Sequence, residues 1–488
     1  MKRILFILLV ALLLQNCKIG KNYRGTDLVQ PDKYAQEVPG LQVEYDSINT
    51  DSLELSTADL KWWNLYDDPV LDSLIRTAME NNRDVLIAAE NVLQGRLALK
   101  NQNAEMLPKF DINGQVQRGN FLLNQVGSTQ NLVLGAASAN WELDLWGKLR
   151  RLSEAARADL VSSEYGYRGV MISLISEVAT TYFSLLRAKS QYEISMRNAT
   201  SRDSMLQLIQ ARYDKGIVPV LDVNQATIQY TIAAGAIPQY ELQIVQLQNT
   251  LSILLGQNPG SVATGKPLNA QNYNIELPLA RPVDLLARRP DVIAAEYQLI
   301  AQNALVGAAK GNRLPSLNAS ALIGITADSF GNLSFNNPLW TLTGQLAGPL
   351  FYWGQLKRQV DIEDSRSFQA LYSYQNTVFF ALKEVEDILT EIRTTKAEIE
   401  IAEHRRSAAL QAQMLSRERY NMGVTSYLEF LEQQRQAFDA ELLLEGLRAN
   451  LLSSYVQLYK ALGGGWLTEE EEAQVKEANA EKAAQNKE

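Results

Sequence analysis

The sequence predicts a mainly α-helical protein with a membrane β-barrel contribution, built from two structural repeats that each combine long coiled-coil-like helices with one β-hairpin. Short motifs recur at a constant offset of 207 residues, two long stretches contain no proline, and each repeat has one segment in which apolar and polar residues alternate. A repeat of this length is a whole multi-helix unit, because solenoid repeats run to about 20 to 50 residues.

The repeat keeps one register along the chain. The matched motifs are Asp84-Val85 with Asp291-Val292, Leu107-Pro108 with Leu314-Pro315, Trp146-Gly147 with Trp353-Gly354, Glu177-Val178 with Glu384-Val385, Arg212-Tyr213 with Arg419-Tyr420, and Leu255-Gly256 with Leu462-Gly463. We therefore expect five parts: 1–17, 18–60, 61–275, 276–467 and 468–488. These are a signal peptide, an extended strap, repeat 1, repeat 2 and an acidic flexible tail.

The N-terminus has the layout of a secretory signal. Lys2 and Arg3 precede the apolar run Ile4–Leu14, which is too short to span a bilayer. Cys17, the only cysteine, follows this run. This order predicts a bacterial lipoprotein in which cleavage leaves Cys17 as the first residue, carrying a covalent lipid. The alternative is an uncleaved anchor with an incidental cysteine.

Composition narrows the functional class. The net charge of −9 argues against a nucleic-acid partner, which would need a basic face. No catalytic triad, histidine-based metal site or phosphate loop is recognisable as a motif in the sequence. We therefore expect neither an enzyme nor a bound metal, and no cofactor apart from the lipid on Cys17.

Each repeat has one place where two strands are expected. Apolar and polar residues alternate in Phe110–Gln117 and Val133–Leu143, and again in Leu317–Ile325 and Trp340–Leu346. Strands of about ten residues with one apolar face fit the wall of a transmembrane β-barrel. A soluble, half-buried hairpin is the alternative on these strands alone.

Four tryptophans lie on or next to these strands. Aromatic side chains commonly anchor a barrel at the boundary of the bilayer, and we prefer this role to ligand binding. The four residues are Trp141, Trp146, Trp340 and Trp353.

The remaining parts of each repeat predict unusually long helices. Gly147–Tyr213 and Gly354–Tyr420 contain no proline, and about 67 residues at 1.5 Å per residue reach on the order of 100 Å. Glycines after both stretches predict left-handed helix stops, followed by antiparallel helices over Leu221–Leu255 and Leu428–Leu462. A shorter helix is expected from Asp68 to Leu107.

The strand count predicts an oligomer. Four strands cannot close a barrel, because small barrels need about eight, and an open edge in lipid leaves backbone groups unpaired. Two chains would supply eight strands and three chains would supply twelve.

One stretch of repeat 2 resembles the signature of the TolC family of outer-membrane efflux proteins, most closely its lipoprotein branch of OprM and NodT-like channels. The matching residues are Leu285–Glu296, Gly307–Lys310 and Leu314–Leu317. The resemblance implies a homotrimer with a 12-stranded β-barrel in the bacterial outer membrane and a periplasmic α-helical barrel. It also implies a periplasmic adaptor (membrane fusion) protein and an inner-membrane pump of the resistance-nodulation-division type.

The resemblance also implies a constricted periplasmic entrance after the second helical turn. Its acidic positions correspond to Glu429 and Glu432, which an i, i+3 spacing places on one helical face. Three chains would bring six carboxylates together, which would raise some of their pKa values and attract cations. A solvated helix face is the alternative.

Two further positions match residues that hold the entrance closed in the family. They are Asp222, the repeat partner of Glu429, and Tyr420, for which packing at the helix end is the alternative. The sequence differs from the family at Thr425, where a basic residue completes the closing network, and at Gln225, where a second acid is usual.

The favoured function is therefore an outer-membrane channel that passively conducts drugs, metabolites or metal ions. An outlet for type I protein secretion on the same scaffold is one alternative. A non-conducting helical lipoprotein that spaces the envelope is another, although such a protein would have no use for two amphipathic hairpins at matched positions.

Overall fold

The computed structural model describes residues 18–25, 62–119, 130–273, 275, 288–336 and 338–464. The predicted signal peptide with Cys17, the acidic tail and most of the strap lie outside these residues. The chain divides into two compact units. The first, which we call the sheet unit, comprises 1–28, 89–165 and 293–377, and the second, the helical unit, comprises 29–88, 166–292 and 378–488.

Seven helices and four strands are described. The helices are α1 (Pro69–Asn81), α2 (Arg83–Ala104), α3 (Lys148–Asp214), α4 (Val220–Leu254), α5 (Pro290–Gly311), α6 (Gln355–Asn421) and α7 (Tyr427–Ala461). The strands are β1 (Lys109–Gly119), β2 (Gln130–Leu143), β3 (Ser316–Ala327) and β4 (Leu339–Ala347).

The internal repeat is confirmed in the element bounds. Helices α3 and α6 both have 67 residues, and α4 and α7 both have 35. Each of α5, β3, α6 and α7 begins 207 residues after its counterpart α2, β1, α3 or α4. The bounds of the four long helices, α3, α4, α6 and α7, differ from the predicted bounds by one residue. A difference of this size is ordinary at helix ends.

The expected single helix from Asp68 to Leu107 is wrong, because the chain bends at Asn82 between α1 and α2. Asn82 has an extended ψ of 133°. Its Oδ1 accepts hydrogen bonds from the backbone N–H groups of Asp84 and Val85 at 2.9 and 3.2 Å, and its Nδ2 donates to the Leu254 carbonyl at 2.9 Å. A buried asparagine thus caps α2 and starts a new helix.

In the sheet unit, the four strands form one antiparallel sheet in the order β1-β2-β3-β4. Ile112 pairs with Ala137, Ala137 with Ile323, and Ile323 with Trp340. This register confirms the predicted apolar face, because paired residues share a face. The large, exposed apolar side chains on it are Phe110, Ile112, Val116, Trp141, Ile323, Trp340, Leu342 and Leu346.

Both outer strands of this sheet are open. Among the described residues, β1 pairs only with β2, and β4 pairs only with β3. The opposite face of β1 carries Lys109, Asp111, Asn113, Gln115 and Gln117. The sheet is therefore amphipathic and incomplete within one chain.

The helical unit has a core of aromatic and aliphatic side chains around the buried Asp68. The Asp68 carboxylate accepts hydrogen bonds from Tyr182 Oη at 2.6 Å and Gln271 Nε2 at 2.9 Å, and it also caps α1. Tyr66 packs on Phe183 with ring centroids 4.9 Å apart. Helix α3 is apolar enough over one 18-residue window to cross a membrane, but 67% of that window is buried inside the protein, as in a core helix.

Both predicted left-handed helix stops are confirmed. Gly216 and Gly423 have φ of 70° and 75°. The Gly216 N–H donates to the Tyr213 carbonyl at 2.7 Å and the Ile217 N–H to the Arg212 carbonyl at 2.9 Å, which is the Schellman arrangement. Glycine at these positions avoids the strain that a Cβ would add.

We expect Gly256→Ala to destabilise the protein more than Gly216→Ala. Both glycines have φ of 70° and end a long helix. Their alanine variants should therefore share a left-handed backbone strain of about 1 to 2 kcal/mol. A Cβ at Gly256 would overlap the carbonyl of Asn81, whereas Gly216 has open space. Gly256→Ala should therefore cost about 1 to 3 kcal/mol more, read as a lower urea midpoint. Equal midpoints would contradict this packing.

Candidate functional site

The two helix-turn-helix connections, α3 to α4 and α6 to α7, pack against each other at one end of the helical unit. We call this region the turn end. Its core consists of Met205, Ile209, Ala226, Tyr420, Tyr427, Phe430 and Leu431. In each connection a glycine stops the first helix, and the second helix then runs antiparallel to the first. All four predicted entrance residues lie at or beside this core.

Glu429 lies in the first turn of α7. Its backbone N–H donates to Ser426 Oγ at 3.3 Å, which caps the helix. Thr425 Oγ1 donates to its carboxylate, and Arg419 Nη1 lies 3.6 Å from the other carboxylate oxygen. An acidic side chain at this position is also favoured by the partial positive charge of the helix N-terminus.

Glu432 is held by two side chains on its own helix. Gln436 Nε2 donates to Oε1 at 2.8 Å, and Arg435 makes a bidentate pair with contacts of 2.8 to 3.2 Å. These hydrogen bonds, from Gln436 first and Arg435 second, lower the pKa of the Glu432 carboxyl below its usual value. The group therefore remains a carboxylate to lower pH than an isolated glutamate.

The structure places both predicted acids on the solvent side of α7. The side chains of Glu429 and Glu432 are 45% and 47% exposed. Their local partners differ, because Arg419 lies at the end of α6 and Arg435 one turn further along α7. Within one protomer each carboxylate is thus balanced by its own arginine, and a cation site would need several copies of the turn end.

Tyr420 packs inside the turn end. Its ring lies 5.4 Å from that of Tyr427 and 6.3 Å from that of Phe430, and the Arg212 guanidinium lies 5.1 Å from its centroid. The Tyr420 hydroxyl is buried and has no hydrogen-bond partner among the described residues. The helix-end packing that the sequence offered as an alternative is therefore present.

Asp222 lies in the first turn of α4 and is half-buried. Burial, followed by the neighbouring Tyr420 and Asp222, raises the pKa of Tyr427 above its usual value. Asp222 thus acts electrostatically on the same aromatic cluster that contains Tyr420.

The polar partners of the two acids were missed in the sequence. Glu432 and Gln436 are four residues apart on α7, and this helical spacing is the signal that could have revealed their contact, whereas Thr425 precedes the N-cap of α7. Arg419 carries no such signal, because its contact with Glu429 depends on the geometry of the turn.

The four tryptophans lie on or next to strands, as predicted, but their surroundings differ. Trp141 Nε1 donates to the Met106 carbonyl at 2.9 Å, and Trp146 Nε1 donates to the Pro315 carbonyl at 2.7 Å. Trp340 and Trp353 are 70% and 78% exposed. Amphipathic indole rings of this kind favour a boundary between lipid and water.

Known proteins share this architecture. A family model described as outer membrane efflux protein matches residues 74–257 and 282–464. The antibiotic efflux pump outer membrane protein ArpC of Pseudomonas putida is 30% identical over 472 residues, 95% of this chain and 96% of the relative. The solvent efflux pump outer membrane protein SrpC of Pseudomonas putida is 33% identical over 427 residues, 85% of this chain and 90% of the relative.

The fold is also found among solved structures. The crystal structure of the Campylobacter jejuni CmeC outer membrane channel matches with a TM-score of 0.84 and 23% identity, over 94% of this chain and 98% of that chain. This likeness confirms the predicted fold of paired long helices and hairpins.

We expect Tyr420→Phe to leave the stability unchanged or to raise it by about 1 kcal/mol, because the change removes a buried hydroxyl without a partner. The matched control is Tyr182→Phe, which removes a buried hydroxyl that donates to Asp68 and accepts from the Gly265 N–H. The control should cost about 1 to 3 kcal/mol. Urea midpoints compare the two, and a large loss in Tyr420→Phe would indicate a hydrogen bond made in the assembled protein.

Proposed function

Because the chain belongs to the outer membrane efflux protein family, we propose that three copies of it assemble into the outer-membrane channel of a tripartite efflux system. The chain works in the bacterial outer membrane, as its family does. The finer features proposed below are the trimer, the partners, the cargo, the entrance and the lipid anchor.

The open sheet is the observation that supports an oligomer, and the number of three copies is what the family resemblance implies. A sheet with one apolar face and two unpaired edges cannot remain alone in hydrocarbon, where each unsatisfied backbone group costs several kcal/mol. Pairing β4 of one copy with β1 of the next removes both edges. Three copies would supply twelve strands, and the polar face of β1 would be directed into the lumen.

We propose that the turn end receives a periplasmic adaptor protein, which links the channel to an inner-membrane pump. The support is a group of exposed apolar side chains on and after both turns. Six such residues are Ile217, Val220, Leu221, Met422, Val424 and Leu428. Clustered exposed apolar residues commonly mark protein interaction sites.

We propose small molecules as the cargo. Two relatives are named for antibiotic and solvent efflux, and both align over at least 85% of this chain. A duct of twelve strands contacts its cargo weakly, so the pump would select the substrate.

We propose that Glu429 and Glu432 line the entrance of this channel. In a trimer, six carboxylates would converge on one axis and would favour cations over anions. Asp222 and Tyr420, on the aromatic cluster beneath them, would set the spacing between the helix pairs. Thr425 stands where the family has a basic residue, and it donates a hydrogen bond to Glu429 instead.

We also propose that Cys17 carries the lipid and that the four tryptophans mark the bilayer boundary. Lys18 directly follows Cys17, and residues 18–22 lie against Trp146 and Arg151 in the sheet unit. Ile19, two residues after Cys17 in the sequence, donates its N–H to the carbonyl of Trp146, one of the four tryptophans.

The combined variant Glu429→Ala plus Glu432→Ala should lose cation selectivity while keeping stable pores, because the charges at the constriction are removed. Reversal potentials in a planar bilayer under a salt gradient measure this selectivity. The matched control is Glu400→Ala plus Glu403→Ala, an exposed acid pair with the same spacing on α6. The control should retain the wild-type reversal potential.

Two outcomes separate the parts of this proposal. Absence of current from an intact, inserted wild-type oligomer would contradict the channel and would favour an envelope spacer. Pores whose selectivity is equal in both double variants would keep the channel but place the constriction elsewhere.

The variant Gln436→Leu should lose cation selectivity at a higher pH than the wild type during acidification. Gln436 is the largest cause of the lowered Glu432 pKa, so its removal moves that pKa back toward the ordinary value of 4.5. A lowered pKa keeps the carboxylate charged to lower pH, and its recovery makes protonation occur earlier. Gln433→Leu is the control, since the donors to the Glu432 carboxylate are Gln436 and Arg435 and not the Gln433 side chain. An unchanged midpoint would exclude Glu432 from the selectivity.

A further inference from the structure

Arg151, near the N-terminal end of α3, is a fully buried cation whose partners come from the start of the described chain. Its guanidinium is 0% exposed. Nε donates to the Ile19 carbonyl at 2.8 Å, and Nη2 donates to the Gly20 carbonyl at 3.0 Å and to Asn22 Oδ1 at 2.9 Å. A buried guanidinium is tolerated only when its donors are satisfied, and residues 19–22 satisfy three of these contacts.

The charge of Arg151 is balanced by Glu154, one turn further along α3. Arg151 Nη1 lies 2.8 Å from Glu154 Oε2, and Lys18 Nζ lies 2.6 Å from the same oxygen. Burial opposes the charged form of Glu154, but the hydrogen bonds from Lys18 and Arg151 outweigh it and lower the pKa of the carboxyl. The Glu154 carboxylate therefore pairs both with Arg151 on α3 and with Lys18 in the N-terminal segment.

The backbone of the segment is also fixed. The Ile19 N–H donates to the Trp146 carbonyl at 3.0 Å, and the Lys21 carbonyl accepts from Asn303 Nδ2 at 3.1 Å. At Gly20, which has φ of 92°, a Cβ would lie 2.9 Å from the Cα of Gly307 on α5. Two glycines in contact therefore allow the segment to reach the guanidinium.

The second repeat has no such site among its described residues. The counterpart of Arg151 is Arg358, which is exposed and donates to the carbonyl of Trp353 at 3.0 Å. The counterpart of Gly307 is Lys100, which cannot offer the same close approach. Among the described residues, only the arginine of repeat 1 is enclosed by residues 19–22.

We propose that Arg151, Glu154 and Gly307 form a docking site that captures residues 18–22 and thereby fixes where the N-terminus leaves the folded chain. Arg151 is the positioning residue of this site. Arg151 donates to the backbone carbonyls of Ile19 and Gly20 and to the Asn22 side chain, so the site selects a segment with a glycine at its centre and a polar side chain two residues later.

The consequence for anchoring rests on the proposed lipidation of Cys17. Because Cys17 is covalently joined to Lys18, a lipid on Cys17 starts one residue from the docking site. A docked segment would then transmit any pull of the lipid directly to α3 and α5. A released segment would leave the lipid on a loose tether.

Limited trypsin digestion of the purified full-length protein tests the docking, because Lys18 and Lys21 are cleavage sites within the segment. In the wild type, cleavage after both should be slow relative to Lys215 in the exposed turn between α3 and α4. Gly20→Val should accelerate cleavage after Lys18 and Lys21 at least tenfold, read from the new N-termini by intact mass spectrometry.

Gly25→Val is the matched control. Gly25 also has positive φ, at 85°, but a Cβ there meets nothing within 4 Å. It should therefore carry the same kind of backbone strain and leave the cleavage rates at Lys18 and Lys21 unchanged. A second pair of variants tests the contacts that α3 makes with the segment. Arg151→Met should accelerate cleavage after Lys18 and Lys21, whereas Arg358→Met should leave both rates unchanged.

The outcomes are distinct. Wild-type protection in Gly20→Val, or equal acceleration in both glycine variants, would overturn the docking site. If Arg151→Met does not fold, the glycine pair still decides, since both substitutions lie in the segment itself. Bilayer current from the same samples is a separate readout, so that its loss in every sample would contradict the channel and leave the docking result standing.

Discussion

The open edges of the four-stranded sheet are the constraint on which the remaining structure depends. Strands β1 and β4 present backbone donors and acceptors that hydrocarbon cannot satisfy. The apolar face, with Ile112, Ile323 and Trp340 in one row across the sheet, favours lipid. In the proposed assembly both demands are met, because copies of the chain join edge to edge. The internal repeat gives each copy two hairpins of the same polarity pattern, so an assembled wall would alternate equivalent hairpins.

At the turn end, hydrogen bonds within one chain and repulsion between chains would act in opposite directions on the charge of the carboxylates. Within one chain, Glu429 lies beside Arg419, and Glu432 is held by Gln436 and Arg435, whose hydrogen bonds lower the pKa of the Glu432 carboxyl. In the proposed trimer, like charges would converge and would favour protonation. In that proposed trimer, the donors to Glu432 would keep its carboxylate charged where repulsion alone would favour protonation. Solvent-exposed ion pairs of this kind add little stability, so we assign them an electrostatic role.

The two repeats differ at the arginine near the start of their long helices. Both have a tryptophan and a glycine before a long helix, and both have an arginine four residues after that glycine. Only Arg151 is buried, because residues 18–22 and Gly307 enclose it, whereas Arg358 is exposed to solvent. A duplicated architecture thus acquired one specialised site through a few small residues, while the helix lengths and strand register remained the same.

The sequence by itself determined the repeat, the element lengths, the apolar sheet face and the glycine stops, since these depend on periodicity and local backbone preference. It also placed the acids on one helix face. Only the tertiary structure decided the bend at Asn82, the burial of Tyr420, the contact of Arg419 with Glu429 and the docking of Ile19 on Arg151, which lie 132 residues apart. Such pairings depend on the path of the chain in space, and a side chain carries no local signal of a distant partner.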